Sequence, residues 1–209
     1  MTRSAEERIT ARREEIVDAC EKLYQTKSFK EVAIKEIGEV TTFTRTSVYN
    51  HFQTKEEIFL GLLKREYDLW VCDLERIIED HESMTNDGIA DSLAKSLEPR
   101  VRLLKLVSMN LYDMEDNSRL ENIVELKTAY KKSMNAVGDI LAKFRPDLSS
   151  DRRLNFVFVF FPFVLGVYPY AFSTEKQIEA MKLAGFDLKK RPTLYELVYN
   201  CARQMLESL

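Results

Sequence analysis

The sequence predicts an all-α fold, and two observations carry that reading. Glycine and proline are scarce, 6 and 5 among 209 residues, while the residues that cost least in a helix (Leu, Glu, Lys, Ala, Met) are plentiful. Apolar residues recur at helical spacing along most of the chain, and no succession of short alternating runs closed by turn residues suggests strands. The architecture expected is an N-terminal three-helix head, residues 1–55, joined by a long helix to a helical body, residues 56–209.

Each helix has a stripe and a stop. Helix one is predicted over Ala5–Gln25, with Ile9, Ile16, Ala19, Cys20 and Leu23 on one side. Thr26–Lys30 breaks it. A short helix fits Ile34–Val40, with Ile34, Ile37 and Val40 aligned. Thr41–Thr44 is a polar, β-branched break. A second short helix fits Arg45–Phe52, and Thr44 is placed to cap it. Thr54 and Glu57 read as a capping box that opens a long helix to about Asp80. Its stripe is Ile58, Phe59, Leu62, Leu63, Tyr67, Trp70, Leu74, Ile77 and Ile78. A loop over His81–Gly88 precedes a helix at Ile89–Leu97, ended by Pro99. Further helices are expected at Val101–Met114 and Arg119–Phe144. An apolar helix capped by Ser149 or Ser150 reaches towards Phe172, and a shorter one begins at Ser173 or Thr174 and stops near Gly185. The last is capped by Thr193 and carries Leu194, Leu197, Val198, Cys201, Met205 and Leu206.

Composition excludes several classes. Net charge is −3, so any affinity for a polyanion must reside in a local patch. Arg3, Arg8, Arg12 and Arg13 enrich the start, and no acidic residue lies between Val40 and Lys55. Cys20, Cys72 and Cys201 are far apart and show no CxxC spacing, which speaks against a disulfide framework and a cysteine zinc site and suits a reducing cytoplasm. With His51 and His81 the only histidines, a His-rich metal site is not expected. Phe156–Phe172 is almost wholly apolar but falls short of a bilayer span and is interrupted by Pro162 and Pro169, so a buried or subunit-facing helix is expected and no membrane association. No Gly-rich phosphate loop, nucleophile–base pair or apolar carboxylate pair is present, so neither catalysis nor a cofactor is expected.

The constellation that carries chemistry is the pair of short helices. Two helices of about seven and eight residues, three to four residues apart, match a helix-turn-helix. On the second, Thr44, Arg45, Thr46, Ser47, Tyr49, Asn50 and His51 all form hydrogen bonds, and only Val48 and Phe52, four apart, are apolar enough to pin it to a core. A helix that enters the major groove needs this distribution, with hydroxyls near its N-terminus and polar groups that reach phosphates and base edges.

Here the chain resembles the tetracycline-repressor (TetR) family of bacterial regulators. The residues are Ile37-Gly38, then Phe43-Thr44-Arg45-Thr46-Ser47-Val48-Tyr49-Asn50-His51-Phe52, then Lys55-Glu56-Glu57-Ile58. Tyr49, His51, Phe52 and Lys55 match the family pattern position by position, over a resemblance spanning about Arg8 to Phe59. Thr42 stands where the family has a turn glycine, Gly38 and Thr46 replace its usual Ala and Gly, and Ala33 stands where a hydroxyl often touches a phosphate. The resemblance implies that Tyr49 and His51 hold phosphates, that Lys55 and Lys35 sit by the backbone, and that Thr44 caps the recognition helix. Arg45, Thr46 and Asn50 are then the base readers, with Ser47 on the same DNA-facing helix.

The same resemblance implies an effector pocket in the body and a dimer interface on the Ser149–Phe172 and Thr193–Leu209 helices. Tyr67, Trp70, Met109, Tyr112, Met114, Phe160, Phe163 and Tyr168 are the candidates to line the pocket, against the alternative of ordinary core. The expected partners are double-stranded operator DNA, a second copy of the chain and a small hydrophobic effector, in a cytoplasmic, nucleoid-associated regulator. The competing reading is a DNA-binding protein of the same fold that acts without an effector, as an architectural or division-linked factor.

Overall fold

The computed structural model describes residues 4–42 and 44–209, with the backbone alone of residues 5, 45 and 190. The helices in chain order are α1 (Ala5–Tyr24), α2 (Ile34–Val40), α3 (Arg45–Tyr49), α4 (Lys55–Asp80), α5 (Asn86–Leu97), α6 (Val101–Asp116), α7 (Leu120–Phe144), α8 (Ser150–Gly166), α9 (Tyr168–Ala171), α10 (Glu175–Leu183) and α11 (Leu194–Glu207). The described residues contain no strand. They form two compact units, one of the residues to Arg65 with Asn110–Ala129, the other of Glu66–Met109 with Tyr130–Leu209. α4, α6 and α7 therefore each carry residues of both.

Local chemistry sets the helix ends. Ser4, Thr174 and Thr193 each accept a hydrogen bond from the third helical amide, and Glu7, Gln177 and Glu196 reach back to complete three capping boxes. Such caps satisfy amides that have no partner within the helix and stabilise each by about 1 kcal/mol. Gly185, at φ +81°, ends α10, a conformation glycine adopts without a Cβ penalty.

Several boundaries differ from expectation. α5 begins at Asn86 rather than Ile89, because the Thr85 hydroxyl accepts from the Gly88 amide and so starts the helix through Asn-Asp-Gly. α3 stops at Tyr49 rather than Phe52: the His51 amide turns back three residues to the Val48 carbonyl, the tightened turn with which helices commonly end. α6 runs two residues past Met114. The apolar helix ends at Gly166, and Pro169 opens the separate α9, since a glycine and an amide-less residue close together favour a break over continuation.

In the first unit Ile16, Cys20, Ile37, Val48, Ile58, Phe59, Leu62 and Leu63 are fully buried. Phe59 sits edge-on to Tyr24 at 5.2 Å and tilted on Phe29 at 4.7 Å. Gly61 lets α1 approach α4, since a Cβ there would lie 3.1 Å from Val17 Cγ2. Arg65 ties the same two helices, its guanidinium meeting the carboxylates of Glu14, Asp18 and Glu21.

The second unit is built on Trp70, Leu74, Leu93, Leu97, Leu103, Ile140, Phe156, Phe160 and Val198, all buried. The Trp70 indole N–H donates to Ser96 Oγ at 2.9 Å, and that hydroxyl donates to the Leu93 carbonyl at 2.8 Å. Burial of one such apolar side chain stabilises by about 1.5–3 kcal/mol. Within α8, Phe156, Val157, Phe160, Phe161 and Val164 are buried, while Leu154, Phe158 and Val159 are about half exposed. No helix among the described residues is long and apolar enough to cross a membrane.

Candidate nucleic-acid interface

α2 and α3 pack against each other, and Thr41, Thr42 and Thr44 lie between them in the chain. Val48 and Phe52, 0% and 1% exposed, anchor one side of α3. Thr44 caps it, its Oγ1 accepting from the Ser47 amide at 3.3 Å. The opposite side presents Thr44, Thr46, Tyr49 and Asn50 to solvent, with Ser47 and His51 half-buried beside them. A five-residue helix cannot hold itself together in water, so its surroundings supply its shape. The result is a polar surface backed by two apolar anchors, which suits hydrogen bonding to phosphates and base edges. Arg3, Phe43 and the side chain of Arg45, all named from the sequence, lie outside the described residues.

The turn closes differently from the family pattern. Thr42 replaces the turn glycine, and no non-glycine residue among those described has positive φ. Instead the Thr42 amide and hydroxyl both donate to Glu15 Oε1 on α1, at 3.0 and 2.8 Å. These bonds, the backbone one first, hold the Glu15 carboxyl below its ordinary value. Ala33 supplies no side-chain cap, and Glu36 serves there by accepting from the Ala33 amide at 3.2 Å.

The cations are unequal. Lys35 is exposed, 3.8 Å from Glu39 one turn on. The Lys55 ammonium donates to the Phe29 carbonyl at 2.9 Å and lies 4.7 Å from that ring, so it serves the head's own structure before any phosphate. Arg13 turns inward: it donates to Asn122 Oδ1 at 3.1 Å, pairs with Glu125 at 3.3 Å, and lies 4.6 Å from the Phe52 ring. Burial, then the charges of Arg12 and Arg13, lower the His51 imidazole below its usual range. It is therefore largely neutral near pH 7, with one N–H to donate.

Sequence reasoning missed the support behind α3. Glu57 does not reach back to Thr54 as a box would. The Thr54 hydroxyl does accept from the Glu57 amide at 3.2 Å, but the Glu57 carboxylate takes the Gln53 amide at 2.7 Å and the guanidinium of Arg119. No local pattern announces a partner 62 residues away.

The eight pocket candidates separate. Tyr67, Trp70, Phe160 and Phe163 join one run of rings through two residues the sequence did not single out, Tyr130 and Phe161. Tyr67 meets Tyr130 at 5.6 Å, Tyr130 meets Phe161 at 5.4 Å, and Phe161 meets Trp70 at 5.6 Å and Phe160 at 6.3 Å. Phe163 stacks on Phe160 at 6.4 Å. Burial raises the Tyr130 phenol above its ordinary value. Tyr168 instead stacks on Phe172 at 5.0 Å. Met109 and Tyr112 are exposed, and Met114 is buried in the first unit with no place in the ring cluster. Two surface grooves flank α8. One of about 510 Å³ is lined by Lys131, Gly138, Arg153 and Leu154, the other of about 330 Å³ by Pro162, Phe163, Tyr170 and Leu197.

Residues 16–62 match the family model for bacterial regulatory proteins of the tetR family. Residues 64–195 match that for the tetracyclin repressor-like C-terminal domain. Comparison with curated proteins gives no match. Among solved structures, the chain is similar to the fatty acid degradation regulator FadR from Bacillus halodurans, with TM-score 0.58 and 13% identity over 99% of this chain and 97% of that one. It is similar to FadR from Bacillus subtilis in complex with stearoyl-CoA, with TM-score 0.56 and 14% identity over 93% and 98%. The Thermus thermophilus repressor FadR in complex with lauroyl-CoA is similar with TM-score 0.57 and 16% identity, over 94% of each chain. At such identities the likeness is one of fold.

Proposed function

The chain belongs to the tetR family of bacterial regulatory proteins, and from that premise we propose that it is a homodimeric repressor that leaves its operator when a small, mainly hydrophobic effector binds. As a member of that family it is a DNA-binding regulator rather than an enzyme. It acts on operator DNA in the bacterial cytoplasm.

The observation that carries the reading is α3. Its polar residues face outward while Val48 and Phe52 are buried behind them. Asn50 and Thr46, with Arg45 from the sequence, read bases; Tyr49 and His51 hold phosphates, with Lys35 and Lys55 beside the backbone. Dimerisation through α8 and α11 is supported by Phe158 and Val159 and by the half-buried Leu197, Cys201 and Met205. An apolar patch of that extent marks a partner surface. An isologous pair would set two recognition helices about 34–36 Å apart, or a multiple of that.

For the effector, the rings that meet at Phe161, namely Trp70, Phe160 and, through Tyr130, Tyr67, mark the apolar region into which a chain-like molecule would insert. The fatty-acyl-CoA complexes of two structural relatives make acyl-CoA the first class to try. The effector acts only through unequal affinity for the two states, and a 100-fold inequality corresponds to about 2.7 kcal/mol of coupling. Close packing about Trp70, 0% exposed and hydrogen-bonded, favours one other reading, a regulator that needs no effector. Titrating lauroyl- and stearoyl-CoA while following Trp70 fluorescence and operator release on the same sample separates the two. The effector reading expects both signals to saturate together. Quenching without release, or neither signal, supports the effector-independent protein.

A further inference from the structure

We propose that Arg119, at the corner between α6 and α7, is a positioning residue for DNA recognition: its guanidinium, seated on the buried carboxylate of Glu57, fixes the turn from α3 into α4 and with it the angle at which α3 meets the groove. This rests on the reading that α3 is the recognition helix.

The Glu57 side chain is 0% exposed, and its two oxygens take four donors. Oε1 accepts from the Arg119 amide at 3.1 Å and from Nε at 2.7 Å; Oε2 accepts from Nη2 at 2.9 Å and from the Gln53 amide at 2.7 Å. Arg119 Nη2 also approaches the His51 carbonyl at 3.4 Å, and the Thr54 hydroxyl donates to the Asn117 carbonyl at 2.9 Å. Arg13 braces the same turn from α1, its guanidinium over Phe52 and its Nη2 on Asn122. The segment 50–54, which has no helix of its own, is thus held at His51 by Arg119, at Phe52 by Arg13, at Gln53 by Glu57 and at Thr54 by Asn117.

Stability alone does not account for this arrangement. Desolvating a carboxylate is costly, and a buried ion pair is often matched or exceeded by apolar residues of the same volume. What the pair supplies beyond an apolar contact is direction. A planar fork on a carboxylate permits one relative orientation, whereas packed methyl groups permit several. Among the described side chains of α3 only Val48 is buried, so much of its angle is set by the segment that follows it, where Phe52 is anchored and Arg119 and Glu57 bind. Breaking the fork should therefore cost sequence discrimination more than it costs phosphate contact.

The test takes a duplex recovered with the wild-type protein by in vitro selection from random-sequence DNA, and a scrambled duplex of equal length. Both are titrated at one salt concentration with the wild type, Arg119→Lys, Arg119→Met and the apolar pair Glu57→Leu/Arg119→Met. Trp70 fluorescence and circular dichroism report the fold. We expect Arg119→Met to lose roughly 10- to 100-fold in affinity for the selected duplex, the scale of one or two misplaced base contacts, and much less for the scrambled one. Arg119→Lys should recover part of the loss. The apolar pair leaves no buried charge unpaired, so it should fold more stably than Arg119→Met yet remain poor at discrimination, and it keeps the test decisive if Arg119→Met does not fold. Wild-type discrimination in the apolar pair, or equal loss on both duplexes in a folded variant, would overturn the proposal. If the wild type selects no duplex, it is the recognition-helix reading that fails, and this proposal with it.

Discussion

α3 and α8 solve opposite problems. α3 has five residues, of which Val48 is buried among those described, and it offers hydroxyls and amides to solvent. α8 has seventeen residues, buries five and still leaves Leu154, Phe158 and Val159 exposed. The first is weak as a helix and depends on distant side chains for its shape. The second is so apolar that its own fold does not consume its surface. The contrast teaches that exposed residues announce the kind of partner: charged and hydrogen-bonding for one helix, apolar for the other.

Overloading the apolar side of this contrast should give the largest effect. In an isologous interface each lost apolar contact counts twice. At about 1.5–3 kcal/mol per side chain, Phe158→Glu or Leu197→Glu should raise the dimer dissociation constant by at least about 100-fold. Sedimentation velocity at micromolar concentration should show monomers that bind operator poorly. A wild type already monomeric there would remove α8 from the comparison.

The polar side divides into readers and holders. Asn50→Ala should relax preference at particular base pairs by about 1–3 kcal/mol. Lys35→Ala should weaken all duplexes alike and flatten the salt slope by about 1 per subunit, about 2 for the dimer. Lys55→Ala should also lower the denaturation midpoint, because its ammonium holds the Phe29 carbonyl. Parallel base-preference and denaturation measurements would expose any exchange of these roles.

The smallest effect is a pH dependence. His51 is depressed in the free protein, by burial first and then by Arg12 and Arg13, so at mildly acidic pH the unfolded chain binds more protons there than the folded one. Its contribution therefore makes the free protein less stable as pH falls through the ordinary histidine value of about 6.5. A phosphate beside the ring favours the charged form, so operator binding should take up protons and strengthen as pH falls from about 8 to about 6, by up to roughly tenfold per subunit. His51→Gln should flatten that profile; an unchanged slope would take His51 off the phosphate.

What the sequence makes legible is local. The capping roles of Thr44 and Thr193 and the α2 boundaries follow from residues three or four apart, and the polar face of α3 follows from Val48 and Phe52 alone. The bonds that shape the site are not local. Thr42 finds Glu15 27 residues away, and Glu57 finds Arg119 across 62; each partner reads in sequence as one more surface charge. α8 is opaque for another reason. A helix apolar on every side has no periodicity to say which side is buried, so Phe161 passes unnoticed beside Phe160. Tyr112, read as a pocket aromatic, is 85% exposed, because an aromatic on an amphipathic helix reveals its spacing and not its neighbours.

The central claim is that the polar face of α3 docks on DNA by phosphate contact and base reading. Salt dependence tests it most directly, through the affinity of the wild-type protein for a selected duplex between about 50 and about 200 mM salt. With on the order of 6–10 phosphate contacts, affinity should fall by roughly three to five decades, linearly in the logarithm of salt. An affinity that stays flat across that range would contradict the account.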